Sequence, residues 1–488
     1  MYSQIDRLCK QTAMPVVGWR MLSAAELMSL LMISFLCLFA VLVPGVSIAE
    51  ANVPTLSEQQ SNQLNSQAAT QVHSTTAILL LDDAVALTVS GNPGLAAMRA
   101  RARALSEVPS QVGTLPDPTL TLGLLNVPVD TYSMSQEAMT QKQLGIGFTL
   151  PFPGKLGLRE QVAELEAGTA EQDVAEKRLR LVSNVRSLWW NLFYLDKALS
   201  LVQRNRALLR EFTRVAESKY KVGQGMQSDV LLAQVELSKL LELKIALQAS
   251  RRGQAATLNA LLGRVGSSAV ILPEEVDEVL PQIAGSTVLI ELANESRPLI
   301  VARRKMLEAA RVRTQLAEKD YYPDMRMGAA YGFRSGNNFN GSGRADLASI
   351  TFNVKLPIFS SSRQENAVDQ RHAEALKEEY DLQDALLQVT AEIEKGVADY
   401  QAAREQASLF KSGIIPQAGQ TASAMLAAYQ VNKVDFLNLV RAQVTLYNYE
   451  TQYWNAISSG WQAWARLEAF VGKPIATSKP DTNKENMQ

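Results

Sequence analysis

Two stretches of the chain read almost alike: YKVGQGMQSDVLLAQV at residues 220–235 and YQVNKVDFLNLVRAQV at residues 429–444. Each places a Tyr-x-Val motif before a glycine or an asparagine, and each continues into an Ala-Gln-Val segment with helical spacing. Gly and Asn commonly end helices because they adopt left-handed backbone conformations at low cost. Both stretches are therefore predicted to be the turn of a helical hairpin, after which Ser228 or Asp229 in the first stretch and Asp435 in the second would cap the next helix. Their likeness predicts an internal duplication.

The likeness continues before both stretches, in the same order and at a nearly constant offset. Residues 92–95 (Asn-Pro-Gly-Leu) resemble residues 296–299 (Ser-Arg-Pro-Leu), and residues 150–152 (Leu-Pro-Phe) resemble residues 356–358 (Leu-Pro-Ile). Chance similarity between Ala- and Leu-rich helices would not reproduce these prolines together with the Tyr-x-Val motif. The chain is therefore predicted to contain two copies of one helix–strand–strand–helix unit.

The composition pattern predicts five segments along the chain: 1–49, 50–76, 77–270, 285–473 and 474–488. The first is an export signal, in which basic residues precede an apolar run and a small-residue cleavage site. A retained membrane anchor is the alternative, because the apolar run is near the lower length limit for a span. A polar lead-in follows, then the two repeats, and finally a disordered tail. Both cysteines lie in the leader, so the mature chain has no disulfide.

Within each repeat, hydrophobic periodicity predicts the same elements. The first repeat has a helix over about residues 81–112, two strands, and a helical stretch over about residues 156–262. The second has a helix over about residues 288–319, two strands, and helices over about residues 362–470. Leucines and valines near residues 181–209 alternate steps of four and three, which is the heptad spacing of a coiled coil. The first long helix would extend on the order of 95 Å, longer than a compact domain needs.

Four segments alternate strictly between apolar and polar residues, as strands with two different faces do. The apolar positions are Leu120, Leu122 and Leu124; Leu144, Ile146, Phe148 and Leu150; Met325, Met327, Ala329, Tyr331 and Phe333; Ile350, Phe352, Val354 and Leu356. The polar faces carry Arg326, Arg334 and Lys355, which suit a water-filled lumen or the solvated face of a soluble sheet. Each segment has about the length of a tilted membrane strand, and the export signal favours a membrane β-barrel with these three residues in its lumen.

Four strands cannot close a barrel, and an open edge in lipid would leave backbone groups unpaired. The chain is therefore expected to oligomerise. Two copies would supply eight strands, and side chains tend to fill the interior of a barrel of that size. Three copies would supply twelve strands, which can leave a pore. The polar segments at residues 129–141 and 335–346 would form the outer loops.

Composition and isolated residues argue against several other classes of function. The 48 basic and 49 acidic residues give a net charge of -1, without the basic excess of a nucleic-acid binder. His73 and His372 stand alone, which disfavours a metal or acid–base site. Met325 and Met327 share the apolar face of a strand, where lipid contact explains them better than soft-metal ligation. We therefore predict neither an enzyme nor a cofactor.

The motifs resemble those of the TolC-like outer-membrane efflux family, over nearly the whole mature chain. They are Tyr220-x-Val222-Gly223 with Asp229, and Tyr429-x-Val431 followed by residues 445–448 (Thr-Leu-Tyr-Asn). Residues 151–155 (Pro-Phe-Pro-Gly-Lys), at a strand-to-helix turn, resemble the motif of the heavy-metal branch of that family. The resemblance implies an α+β membrane protein, in which a homotrimer forms a twelve-stranded β-barrel in outer-membrane lipid and a periplasmic coiled-coil α-barrel.

The resemblance also implies partners and sites at the hairpin tips. A periplasmic adaptor and an inner-membrane pump of the resistance-nodulation-division type would dock there, and Val222, Gly223, Gln224 and Gly225 are the candidates for adaptor docking. The family often closes the periplasmic entrance with an acidic ring in the second hairpin. The corresponding positions here are Asn438 and Arg441, with Asp435 nearby. The sequence therefore does not predict a cation-selective aspartate ring, and these three residues are the candidates for the gate.

Two functions remain open from sequence. The first is a passive exit duct in the outer membrane, carrying heavy-metal ions or small-molecule toxicants that the pump delivers. The second is a periplasmic coiled-coil scaffold without a pore. The strands discriminate between them, because membrane strands would place the protein in the outer membrane.

Overall fold

The computed structural model describes residues 78–475. The expected export signal, the polar lead-in and all but two residues of the expected tail lie outside this range. Ile475 is buried against the helical core. The prediction of a disordered tail from residue 474 therefore does not hold for Ile475, because its side chain packs into apolar surroundings.

Both halves of the described chain repeat the order helix, strand, strand, helix. The first half contains α1 (Leu81–Gly91), α2 (Pro93–Ser106), α3 (Val108–Gly113), β1 (Thr119–Leu125), β2 (Gln141–Leu150), α4 (Lys155–Lys221) and α5 (Gln227–Leu261). The second half contains α6 (Ser286–Ser296), α7 (Pro298–Glu318), β3 (Met325–Arg334), β4 (Leu347–Val354), α8 (Gln364–Leu409), a π-helical segment (Phe410–Ile414), α9 (Ile415–Gln430) and α10 (Phe436–Val471).

The opening helix of each repeat is broken, where the sequence predicted one continuous helix. Pro93 and Pro298 each occupy the first position of a new helix, where the missing N–H costs nothing. Asn92 caps the break in the first repeat, because its side-chain oxygen accepts from the Leu95 N–H at 3.0 Å. A second proline at the start of α3 breaks the first repeat again.

The two breaks make equivalent contacts with the last helix of their repeat, so the duplication is also visible in the three-dimensional structure. The Asn92 side chain donates to the Leu261 carbonyl at 3.2 Å, where α5 ends. In the second repeat, the Ser296 hydroxyl donates to the Val471 carbonyl at 3.2 Å, where α10 ends. In both repeats, therefore, the end of the last helix docks onto the break in the opening helices.

The four strands form one antiparallel sheet in the order β1-β2-β3-β4. Register aligns the apolar positions across it: Leu120 pairs with Ile146, Ile146 with Ala329, and Ala329 with Ile350. The predicted strand positions are confirmed except at the end of the fourth, where Lys355 and Leu356 lie beyond β4. Strands β1 and β4, with 7 and 8 residues, are shorter than expected. Each of these two strands occupies an edge of the sheet and pairs on one side within the chain.

The long helices pack through the predicted heptad positions. Helix α4 has 67 residues, which corresponds to about 100 Å. Val185, Leu192 and Val202 on this helix are fully buried. Tryptophans from α4 and α10 complete the core, with the Trp190 and Trp461 rings stacked at 5.3 Å. Within residues 78–475, none of the helices combines the length and apolar character needed to cross a membrane.

Candidate functional site

The two hairpin turns have the same backbone design. The first tip, residues 222–225, connects α4 to α5, and the second tip, residues 431–435, connects α9 to α10. Gly223 has φ 76° and Asn432 has φ 60°, so both lie in the left-handed region. The next residue in each tip closes a Schellman turn: the Gln224 N–H donates to the Lys219 carbonyl, and the Lys433 N–H to the Ala428 carbonyl. This shared geometry explains why Gly and Asn hold equivalent positions.

The four predicted docking residues divide into two pairs. Val222 is 67% exposed and Gln224 is also exposed, so both offer side chains to a partner. Gly223 supplies the left-handed turn. A Cβ at Gly225 would lie 3.0 Å from the Lys219 Cβ and 3.1 Å from the Tyr220 nitrogen, so this glycine permits close packing of the turn.

The helix after the first tip begins earlier than predicted. Its N-cap residue is Met226, which makes no side-chain capping bond. Ser228 and Asp229, the predicted caps, lie inside the first turn instead. This prediction was wrong because the Gly225 turn already sets the direction of the chain before either side chain is reached.

Lys219 joins the two tips. Its ammonium group donates to the Tyr429 carbonyl at 2.5 Å and to the Asn432 side-chain oxygen at 2.5 Å, and lies 4.3 Å from the centre of the Tyr429 ring. A cation at a helix C-terminus satisfies carbonyls that have no partner within the helix. Sequence reasoning missed this contact, and the one available signal was a lysine in the last turn of α4.

The candidate gate residues lie along one exposed face of the second hairpin. Asp435 is the N-cap residue of α10 but makes no side-chain capping bond. Asn438 and Arg441 follow on the same face, and all three side chains are exposed. The face continues as a stripe of uncharged polar residues at heptad steps: Thr445, Asn448, Gln452 and Asn455. Phe436 and Leu439 on the opposite side are buried, which fixes the orientation of the helix.

The Pro-Phe-Pro-Gly-Lys motif forms a joint between the sheet and the helices. The buried Lys155 ammonium lies 3.0 Å from both Asp320 and Asp324. The Phe152 N–H also donates to Asp324, at 2.9 Å, and the Phe152 ring stacks on Tyr322 at 4.5 Å. Burial alone would raise the pKa of Asp324, but the bonds from Phe152 and Lys155 outweigh it and hold the pKa below its usual value. The motif thus ties the end of β2 to the start of β3.

Across residues 78–475, no group of three or more His, Cys, Asp or Glu side chains is arranged to hold a metal ion. In the joint, the Lys155 cation itself pairs with both carboxylates.

The predicted lumen residues lie in three different settings. Arg326 is exposed on the polar face of β3. The Arg334 guanidinium donates to the carbonyls of Ala345 and Ala138, at 2.5 and 3.1 Å, and so connects the two loops at that end of the sheet. Lys355 is exposed just beyond β4, where its backbone N–H donates to the Asp324 carbonyl.

Small residues dominate the middle of the polar face. They are Gly145, Gly147, Gly328, Ala330 and Gly332. A Cβ on Gly328 would lie 2.8 Å from the Thr351 hydroxyl, and one on Gly147 would lie 2.9 Å from the Thr119 hydroxyl. The opposite, apolar face carries the large side chains, with Leu120 and Ile350 at least 70% exposed. One face of the sheet therefore carries large apolar side chains, and the other carries mostly small residues at its centre.

Comparison with known proteins agrees with this architecture. The family model described as outer membrane efflux protein matches residues 85–264 and 289–473. The cobalt-zinc-cadmium resistance protein CzcC of Cupriavidus metallidurans is 21% identical over 399 residues, or 81% of this chain and 90% of CzcC.

Solved structures share the fold at low sequence identity. The outer membrane protein VceC of Vibrio cholerae has a TM-score of 0.67 at 20% identity, covering 80% of this chain and 96% of VceC. A structure of CusC has a TM-score of 0.65 at 16% identity, covering 80% of this chain and 92% of CusC. The family match spans most of both repeats. The chain therefore belongs to the outer membrane efflux protein family, as a TolC-like protein of the outer membrane that extends into the periplasm.

Proposed function

We propose that three copies of the chain form a passive exit duct for toxic solutes. The observation that carries this proposal is the sheet, whose large apolar side chains are exposed and whose edge strands β1 and β4 each pair on one side within the chain. Three such sheets, joined edge to edge, would close a twelve-stranded barrel and satisfy the edge groups. The helices of the three chains would continue it as an α-barrel in the periplasm.

The duct performs no chemistry of its own in this proposal, and it needs no cofactor. Energy comes from an inner-membrane pump of the resistance-nodulation-division type, which reaches the duct through a periplasmic adaptor. The first tip supports this role, because Val222 and Gln224 present exposed side chains at a hairpin end. Asp435, Asn438 and Arg441 would form the periplasmic gate, and Arg326, Arg334 and Lys355 would line the wider barrel lumen and its outer end.

The proposed cargo is heavy-metal ions. Support comes from similarity to a relative whose name specifies resistance to cobalt, zinc and cadmium, over 90% of that relative's length. Drugs and other small toxicants are the competing cargo. The other function considered from sequence is a periplasmic scaffold without a pore. A scaffold of that kind would not explain why the apolar face of the sheet is exposed.

Deletion of the gene, followed by growth on a panel of metals and drugs, tests this function. We expect higher sensitivity to cobalt, zinc or cadmium, and restoration by the intact gene. Sensitivity to organic toxicants alone would replace the metal cargo with the competing one. Unchanged sensitivity to every compound, with the protein present in the parent strain, would contradict the exit-duct proposal.

A further inference from the structure

The ends of the strands carry matching residues in the two repeats. A Pro-Asp pair precedes β1 at residues 116–117 and precedes β3 at residues 323–324, an offset of 207 in residue number. Leu-Pro-Phe at residues 150–152 lies at the end of β2, and Leu-Pro-Ile at residues 356–358 follows β4, an offset of 206. Each position at a strand end of the first repeat therefore has a defined counterpart in the second.

The hydrogen-bond register of the sheet agrees with this correspondence. Thr119 on β1 pairs with Gly147 on β2. The two offsets convert these residues into Arg326 on β3 and Asn353 on β4, which are paired as well. The strand pairs of the two repeats therefore have the same register, and contacts at their ends can be compared residue by residue.

Within the chain, the end of β2 and the start of β3 form a specific contact, the inner joint. Leu150 pairs with Met325 in the sheet. Just beyond this pair, the Phe152 N–H donates to the Asp324 carboxylate at 2.9 Å, and the Phe152 ring stacks on Tyr322 at 4.5 Å. The inner joint thus combines a strand pair, a hydrogen bond from backbone to carboxylate, and an apolar contact.

The free edge at β1 carries the aspartate of such a joint without a partner. Asp117 is the counterpart of Asp324 and is exposed, and in the part of the chain that the structure describes its carboxylate has no hydrogen bond or ion pair. Leu115, the counterpart of Tyr322, is 53% exposed. An open cleft of about 670 Å³ adjoins both residues and is also lined by Leu156. This edge therefore presents an acceptor and an apolar surface, with space beside them.

The free edge at β4 carries the donor for such a joint. Ile358, the counterpart of Phe152, is 74% exposed, and Phe359 after it is 71% exposed. In a single chain the Ile358 N–H donates to the Leu356 carbonyl at 3.0 Å, which closes a three-residue turn. Because an ionised carboxylate is a stronger acceptor than a carbonyl, an aspartate placed at this turn would take over the bond.

We propose that β4 of one copy and β1 of the next copy form an outer joint, which repeats the inner joint between chains. In the outer joint, Asp117 of the next copy accepts from the Ile358 N–H, and the Ile358 side chain packs on Leu115 of that copy. The inference rests on the proposed function, because it requires the sheets of neighbouring copies to join edge to edge.

The same offsets set the register between copies. The counterpart of the pair Leu150–Met325 is Leu356 opposite Pro118, so Val354 lies opposite Leu120. Val354 and Leu120 both belong to the apolar face, so this register keeps that face continuous around the barrel. A shift by one residue would bring their side chains to opposite faces.

The outer joint lacks one part of the inner joint. Ser361 stands at the position that corresponds to Lys155, whose ammonium group pairs with Asp320 and Asp324. The ion pair of the inner joint therefore has no counterpart in the outer joint. We consequently expect the copies to separate on heating before the chain itself unfolds.

Cysteine cross-linking in outer membranes tests the register. Residues directly opposite on neighbouring strands have Cα atoms about 4.5–5.5 Å apart, within reach of a disulfide. We expect Leu120→Cys with Val354→Cys to link chains into species of two and three copies under mild oxidation, resolved on a denaturing gel without reductant. The matched control is Leu124→Cys with Val354→Cys, because Leu124 lies on the same face but about 13 Å farther along β1.

Two sources of background are controlled. Strands β1 and β4 lie at opposite edges of the sheet, about 14 Å apart, so the introduced cysteines do not link within one chain. Cys9 and Cys37 are the other cysteines of the sequence. Their contribution is measured with Leu120→Cys and Val354→Cys as single variants.

A second experiment tests Asp117 as the acceptor. Asp117→Ala removes the acceptor and should lower by several degrees the temperature at which the oligomer separates into single chains. Asp117→Asn keeps an acceptor oxygen and should retain most of the stability. Asp130→Ala, which changes an exposed aspartate in the outer loop at the other end of the sheet, is the control and should have no effect. Helix content measured by circular dichroism should be unchanged in all three variants.

The outcomes separate the outer joint from the function on which it rests. Cross-linking through Leu124→Cys instead of Leu120→Cys, or no cross-linking in a particle that contains three chains, would overturn the register alone. An Asp117→Ala oligomer as stable to heat as the wild type would overturn the role of Asp117. Wild-type protein that exists only as single chains would overturn the proposed function and the outer joint together.

Discussion

At the scale of single residues, the hairpin tips show why a side chain's role must be separated from the role of its backbone. Gly223 and Asn432 share a left-handed conformation, so their likeness reflects turn geometry. The sequence identified this pair, because Gly and Asn are the residues that tolerate such a turn. It could not identify Lys219, whose partners on the second tip are distant in the chain. Long-range contacts of this kind leave no local signal.

A charge at the first tip should block adaptor docking without disturbing the turn. We expect Val222→Glu to abolish resistance while oligomer assembly stays normal, because residue 222 is 67% exposed and outside the left-handed position. The measurement is growth on the toxic cargo together with oligomer yield from outer membranes. Gly223→Asn is the control and should keep resistance, since Asn432 adopts the same geometry. Full resistance in Val222→Glu would remove the docking role of residue 222.

Loss of the buried lysine should loosen the joint between sheet and helices. We expect Lys155→Met to lower the free energy of unfolding by about 1–2 kcal/mol, less than for a fully buried pair, because both aspartates are partly exposed. The pKa of Asp324 is held below its usual value, so its ionic contribution is present above the ordinary aspartate pKa of about 4 and is lost as the pH falls through the lowered pKa. Thermal melting should therefore separate the variant from wild type at pH 7 and much less at pH 3. An equal difference at both values would exclude the ion pair as the cause.

Arg441 should influence which ions pass the entrance. A trimer would place three of these cations near its axis, where they would repel cations and attract anions. We expect Arg441→Ala to increase the permeability of potassium relative to chloride, measured as a shift of reversal potential in a salt gradient. Asn455→Ala, farther along the same exposed stripe, is the neutral control. Unchanged conductance and selectivity in Arg441→Ala would place the gate elsewhere.

At the scale of elements, periodicity predicted the strands and long helices well, and missed their interruptions. Alternation located all four strands because one face is apolar except for Lys142, near the start of β2. Heptad spacing located the buried positions of α4, because those positions are apolar. The prolines mark the breaks at Pro93 and Pro298, but the apolar periodicity continues through both positions and predicts an unbroken helix. The π-helical segment had no readable signal, since Phe410 and its neighbours fit an α-helix equally well and tertiary contacts decide the register.

A charge on the apolar face of β4 should prevent membrane insertion, whereas the same charge on the neighbouring residue should be tolerated. Ile350 is 74% exposed on the apolar face, and Ser349 lies on the opposite face. Arginine facing lipid near the middle of a strand costs about 2–4 kcal/mol. We expect Ile350→Arg to reduce the outer-membrane fraction strongly and Ser349→Arg to leave it near wild type, as measured by membrane fractionation. Equal behaviour of the two variants would contradict the assignment of the faces.

At the scale of the whole molecule, the duplication accounts for both the four-stranded sheet and its need for further copies of the chain. Each repeat supplies one pair of strands, and the two pairs join through β2 and β3 into a single sheet. The outer strands β1 and β4 remain at its edges. The sequence predicted that four strands cannot close a barrel, and this follows from backbone hydrogen bonding alone. The number of copies depends on sheet curvature and contacts between chains, which local patterns do not encode.

The number of chains in the native particle is the measurement that tests the exit duct most directly. Native mass spectrometry of protein extracted from outer membranes in mild detergent would count them. We predict three chains, which bring twelve strands to one barrel and leave room for a pore. A particle of one chain would leave the sheet edges unsatisfied, and a particle of two would give a barrel of eight strands that side chains tend to fill. Either result would contradict the trimeric duct.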